Sequence, residues 1–186
     1  MLFLTLNSHL YVIRDDENNF NLKYILIVLN SNLLTWYFRK FLNPEEGKAM
    51  AQVKRGHLVE LPIIKTNNEK PFIEKAEQML TLHKELHKTS QKFQRALERE
   101  FALDSLPKKL QDWYLLSYGE FIKELEKKKV KLSLSQKAEW EDYFLQESKK
   151  ALALKTDINT TDKEIDQMVY GLYGLSEEEI KIVEQN

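Results

Sequence analysis

The stretch Asn21–Phe41, NLKYILIVLNSNLLTWYFRKF, decides how the first third of the chain is read. Leu22, Ile25, Leu26, Leu29, Leu33, Trp36, Tyr37 and Lys40 recur at helical spacing, while Ile27, Leu34, Phe38 and Phe41 fill the other face. A helix that is apolar nearly all round belongs inside a protein or a membrane. Asn30, Ser31, Asn32, Arg39 and Lys40 interrupt the run, so the pattern predicts a buried core helix rather than a span, ended by Asn43-Pro44.

On its N-terminal side, Phe3–Leu6 and Leu10–Arg14 are short runs of β-formers separated by the turn-prone Asn7-Ser8 and followed by a polar tract. They predict two strands, and a strand that begins at once suggests a piece of a longer chain. On its C-terminal side Glu45–Arg55 is polar and reads as a loop, after which Leu58–Ile64 resumes as a strand or extended run. Pro62 confines that run to an edge or a strand end. Asn67, Asn68 and Pro71 then punctuate the chain. The expectation is an α+β protein: a small mixed α/β domain over residues 1–67, followed by a helical domain over residues 68–186.

The second part is written in helix formers. Phe72, Ala76, Met79, His83, Leu86, Ser90, Phe93 and Leu97 alternate spacings of four and three, the seam of a long packed helix, with His83 and Ser90 weakening it. Roughly 30 residues at about 1.5 Å each would give a spacer arm of about 45 Å. Ser105 as N-cap with Pro107 just inside predicts a second helix carrying Leu110, Trp113, Phe121 and Leu125. The Ser133-x-x-Gln136, Thr161-x-x-Glu164 and Ser176-x-x-Glu179 boxes predict three more starts. Gly174 would end the second of these, and Leu175 would staple onto Ile180.

Composition excludes several chemistries. The chain has 186 residues, 42% of them hydrophobic, enough to bury one full core or one core plus a helical appendage, and no cysteine. Disulfide scaffolds, thiolate metal sites and cysteine nucleophiles are therefore out, and a reducing, cytoplasmic setting is expected. The opening Met-Leu-Phe-Leu-Thr-Leu lacks the basic start and continuous apolar core of a signal peptide. A net charge of −1 hides an uneven distribution. From Thr156 onward two cations, Lys163 and Lys181, face eight acids. Between Gly47 and Lys65 the balance reverses, with Lys48, Lys54, Arg55 and Lys65 against Glu60 alone. A polyanion would be met there.

Two sets of residues carry a family resemblance. Tyr24–Phe38 with its Leu29-Asn30-Ser31, a basic polar loop, and His57-Leu-Val-Glu-Leu-Pro62-Ile-Ile64 resemble the TaqI-like C-terminal specificity domain of adenine-specific restriction–modification enzymes, and more widely the specificity subunits of Type I systems. Tyr118-x-x-Phe121, Trp140-x-x-Tyr143-Phe144 and the ending Glu164-Ile-Asp166-x-x-Val169-Tyr-x-Leu172-Tyr173-Gly174-Leu175 look like the tail of Type IIG enzymes, which fuse nuclease, methyltransferase and target recognition. The resemblance implies a reader of double-stranded DNA, partnered by the methyltransferase and nuclease portion of the same enzyme. Methylation in that family needs an Asn/Asp-Pro-Pro-Tyr/Phe loop and a glycine-rich turn for S-adenosylmethionine. The sole Asn-Pro here is Asn43-Pro44-Glu45-Glu46 and the five glycines are scattered, so this chain is expected to be non-catalytic, with S-adenosylmethionine and Mg²⁺ handled by the parent.

The candidate DNA-binding residues are Lys48, Gln52, Lys54, Arg55 and His57 on the polar stretch, with Arg39 and Lys40 at the neighbouring helix end. Arg55 can fork onto guanine and Gln52 onto adenine, whereas lysines suit phosphates as mobile point charges. The bland alternative is an ordinary solvated loop. His83 and His87, four apart, have a zinc-like spacing but no third ligand is signalled. Asp112 with Glu126-Lys127-Lys128 imitates a nuclease motif without the sheet that would present it. The Lys127–Lys131 run reads first as cations at a helix C-terminus, and Trp113, Trp140, Tyr170 and Tyr173 as core. The competing functional class is a helical interaction scaffold that docks protein partners through its acidic C-terminal helices.

Overall fold

The computed structural model describes residues 2–6, 9–13, 21–43 and 55–185. They fall into two compact units, one of residues Met1–Met79 with Thr161–Asn186, the other of Leu80–Thr160.

The expected α+β class is overturned, because the described chain is helical. Its strands are limited to β1 (Leu2–Leu6) and β2 (His9–Ile13), an antiparallel ribbon with Leu2 opposite Ile13 and Leu6 opposite His9. No third strand joins it among the described residues, which therefore build no mixed α/β domain. The segment expected to supply that strand does something else. Its start belongs to a short helix, α3 (Arg55–Val59), and the remainder is an extended strap. The strap's acceptors are met by side chains: the Tyr173 hydroxyl donates to the Pro62 carbonyl and the Tyr24 hydroxyl to that of Ile64. The Ile63 N–H turns back to the Leu61 carbonyl at 2.9 Å. Proline removes one donor and tyrosines fill two acceptors, which leaves no ladder to extend.

The long apolar stretch is two helices rather than one. α1 (Leu22–Asn30) starts at Asn21, whose side chain accepts from the Lys23 N–H at 2.9 Å. It stops because Ser31 adopts an extended backbone (φ −67°, ψ 155°) and donates its hydroxyl to the Val28 carbonyl at 2.8 Å. The same hydroxyl caps α2 (Asn32–Tyr37) by accepting from the Leu34 N–H at 3.3 Å. One polar side chain thus closes one helix and opens the next. α2 then widens into a π-turn, Phe38–Leu42, in which the Asn43 N–H reaches the Phe38 carbonyl at 2.8 Å.

The core of the first unit is Tyr24, Ile27, Val28, Leu33 and Leu34 packed against Phe72, Ala76, Ile165, Val169, Tyr170 and Val183. Tyr24 meets Phe72 edge-on at 5.4 Å. The last part of the chain therefore folds against the first.

α4 (Lys70–Glu100) carries the predicted seam: Phe72, Ala76, Leu86, Ser90, Phe93 and Leu97 are buried, while His83 faces solvent. The predicted second helix is three pieces, α5 (Lys108–Gln111), a 3₁₀ turn (Trp113–Leu115) and α6 (Tyr118–Lys127). Ser117 divides them by forming a capping box with Glu120, and Pro107, not Ser105, is the N-cap of α5. The two helices predicted after it are one, α7 (Leu134–Tyr173). Phe144, Ala151, Ile158 and Ile165 are buried at a strict seven-residue interval and Thr161 is buried between them, so the seam carries the helix past the apparent start. Gly174 at φ +68° ends it, and α8 (Glu177–Glu184) begins at the Ser176–Glu179 box.

The second unit is built around Phe93, stacked on Trp113 at 3.7 Å and on Tyr143 at 5.4 Å, with Phe121 and Phe144 closing the cluster. Among the described residues no helix is long and apolar enough to cross a membrane.

Candidate nucleic-acid interface

α2 and its π-turn present the candidate site. Leu33 and Leu34 anchor the element in the core, and Arg39, Lys40 and Phe41 emerge together at its end, all three exposed. Phe41 is 57% exposed and is held edge-on to Trp36 at 5.4 Å and tilted against Tyr37 at 5.1 Å. Two cations beside an exposed aromatic ring offer phosphate binding and an apolar face for a sugar or base. An open cleft of about 270 Å³ runs along the same face, lined by Asn32, Thr35, Trp36, Arg39 and Lys40, with Val183 and Glu184 of α8 opposite.

The N-terminal end of this element is fixed by Asp166 of α7. Its carboxylate accepts from the Asn32 backbone N–H at 2.8 Å and from the Asn32 side-chain amide at 2.7 Å. Asp166 is only 6% exposed. Burial pushes its pKa above the ordinary carboxylate range, the hydrogen bond from the Asn32 backbone opposes the rise, and Asp162 and Glu184 add to it. The Tyr170 hydroxyl is buried nearby without a hydrogen bond of ordinary geometry. Burial, with Asp166 and Glu184, pushes its pKa up to about 12 although the Asn32 amide stands close enough to oppose the rise.

Of the sequence-predicted site residues, Arg39 and Lys40 lie exposed in the π-turn that follows α2. His57 sits on α3, half-buried, with its ring edge-on to Phe38, the residue before Arg39, at 5.6 Å. Arg55 begins the same short helix, within what was expected to be loop. Lys48, Gln52 and Lys54 lie outside the described residues. Sequence reasoning assigned no role to Phe41, which it placed among core fillers, or to Asp166, although Asp166 lies in the tail motif that carried the resemblance.

The other candidates resolve separately. His83 and His87 are exposed on α4 and line an open cleft of about 400 Å³ with Gln94, Asp112 and Tyr114 in the second unit. Among the described residues no group of three or more His, Asp or Glu side chains could hold a metal ion. Asp112 lies in the turn after α5, while Glu126 on α6 pairs with Lys137 at 3.6 Å. Lys127, Lys128 and Lys129 close α6, the last at φ 63°.

Residues 3–63 match the TaqI-like C-terminal specificity domain, and residues 65–169 match the Domain of unknown function (DUF8810). The chain belongs to the DUF8810 family. It carries the TaqI-like specificity domain in front of that family's segment. No curated protein and no solved structure matches the chain. A TaqI-like specificity domain serves DNA sequence recognition in a restriction–modification enzyme and is not itself catalytic. The exposed Arg39, Lys40 and Phe41 lie within the TaqI-like match. Asp166, which holds their element, lies within DUF8810.

Proposed function

We propose that this chain is the target-reading region of an adenine-N6 restriction–modification enzyme of the Type IIG kind, acting on double-stranded DNA. Methyl transfer and cleavage are carried by another portion of the same enzyme, where S-adenosylmethionine and Mg²⁺ bind. The observation that carries the reading is the exposure of Arg39 and Lys40 at the end of a buried, capped helix inside a segment that matches a DNA-specificity domain. Arg39, Lys40, Lys48 and Lys54 hold phosphates, while Arg55 and Gln52 read base edges in the major groove. His57 supports the pair through its contact with Phe38. Phe41 supplies the apolar contact beside them.

The reading is tested by gel shift of the full chain on duplex DNA at two salt concentrations. Retention that weakens with salt is expected, and Arg39→Ala with Lys40→Ala should lower affinity on every sequence alike. Arg55→Ala should cost about 1–3 kcal/mol at one base position. Unchanged binding in an Arg55→Ala, Lys54→Ala double variant would overturn the assignment of the basic stretch.

A second reading, a helical scaffold that docks a protein partner, is favoured by one feature. Leu145 and Leu152, seven apart on α7, are 53% and 43% exposed. Binding to a methyltransferase core without any DNA retention would support it.

A further inference from the structure

The segment that matches DUF8810 supplies a buried carboxylate, Asp166, that holds the start of the DNA-facing element. We infer that Asp166 is a positioning residue through which this segment sets the orientation of α2, and with it Arg39, Lys40 and the α3 helix. The inference rests on the DNA-reading proposal above.

The argument begins with the cost of the arrangement. A carboxylate buried without a cation is unfavourable relative to an apolar side chain of similar size, unless its hydrogen bonds repay the lost hydration. Both carboxylate oxygens of Asp166 are used on a single residue, Asn32, 134 positions away in sequence. Two bonds at 2.8 and 2.7 Å to a backbone N–H and its own side chain define a direction as well as a distance. α2 is six residues long and its own cap is the Ser31 hydroxyl at 3.3 Å. A helix that short takes its orientation from tertiary ties. Asn32 and Arg39 are seven residues apart, about two turns, and line the same cleft. A rotation at Asn32 is therefore transmitted to Arg39, and through Phe38 to His57 and α3. Base reading fails at displacements that phosphate binding tolerates, because bidentate contacts need matched geometry and point charges do not.

The experiment separates orientation from affinity. The full chain is selected against a pool of randomised duplexes, and the enrichment of the preferred sequence over the pool is compared between variants. Asp166→Ala should bind the unselected pool with an unchanged salt slope and lose enrichment by about tenfold, the worth of one displaced base contact. Asp166→Asn, which keeps an acceptor for the Asn32 N–H, should restore most of it. Asn32→Ala, which keeps only the backbone bond, should fall between. The same enrichment in Asp166→Ala as in the original chain overturns the inference. Amide hydrogen exchange gives a readout that does not need DNA: Asp166→Ala should raise exchange over residues 32–42 and leave residues 85–125 protected. Should the chain fail to bind DNA, the functional reading falls by itself. Should exchange at 32–42 stay unchanged, the positioning role falls by itself.

Discussion

At Asp166 a single side chain couples stability to pH in a direction opposite to that of a salt-bridged acid. Burial holds its carboxyl pKa above the ordinary value in the folded chain. Its contribution is therefore complete below the unfolded pKa, where the group is protonated in both states, and is lost as pH rises through the folded pKa. Denaturant unfolding across the carboxylate range should show that loss as a difference between the original chain and Asp166→Asn, because Glu120, Glu124 and Glu179, with lowered pKa values, act in the opposite direction. Asp166→Asn should flatten it, since Asn32 can turn its amide to accept from the new one. Asp166→Ala instead leaves the Asn32 donors without their partner and should cost about 1–3 kcal/mol at neutral pH. An unchanged pH profile in Asp166→Asn would show that the acid dependence comes from another group. This residue was visible in the sequence only as part of a tail motif. Local periodicity places it on a helix but is silent on a partner 134 residues away. Arg39 and Lys40 were legible because cations at a helix end next to a Pro-ended apolar run are a local signal.

Elements were legible where their ends are chemical and illegible where a seam overrides the ends. The Ser133–Gln136 and Ser176–Glu179 boxes form as read, with Ser133 N–H to Gln136 at 2.9 Å and Ser176 N–H to Glu179 at 2.8 Å. Thr161-x-x-Glu164 has the same letters and makes no start. Thr161 lies buried in the seam, and Glu164 is drawn to Lys75 at 2.6 Å. The converse error occurs at Ser31 and Ser117, which cap helices inside runs that apolar spacing alone reads as continuous. The strand expected at Leu58–Ile64 failed because alternation cannot reveal that two tyrosine hydroxyls will take its carbonyls. Helix ends also yield a paired prediction. Gly174 closes α7 at φ +68°, whereas Ala102 follows α4 at φ 47°, a region that a Cβ disfavours. Gly174→Ala should cost about 1–2 kcal/mol. Ala102→Gly should gain up to about 1 kcal/mol, less what glycine adds to the freedom of the unfolded chain. Urea midpoints at constant slope would check both, and a loss in Ala102→Gly would mean that the strain there is already relieved by its surroundings.

Across the whole molecule, the net charge of −1 means that DNA binding has to be won locally. Seven of the eight acids past Thr156, those from Asp162 onward, belong to the same compact unit as Arg39 and Lys40, and Glu184 shares their cleft. A phosphate approaching those cations therefore also meets a carboxylate. Four phosphate contacts, at Arg39, Lys40, Lys48 and Lys54, would give a log–log salt slope of about −3 to −4. Removing Arg39 and Lys40 together should flatten the slope by about 2. Glu184→Gln removes repulsion without adding a contact, so it should tighten binding a few-fold at low ionic strength and leave the slope near its original value. That gain should fade toward 1 M salt, where the screening length falls to about 3 Å. Measured by fluorescence anisotropy across a salt series, a slope near zero would mean that DNA is not held through phosphates. Glu184→Gln binding that is no tighter at any salt concentration would place the DNA away from the α2–α8 cleft.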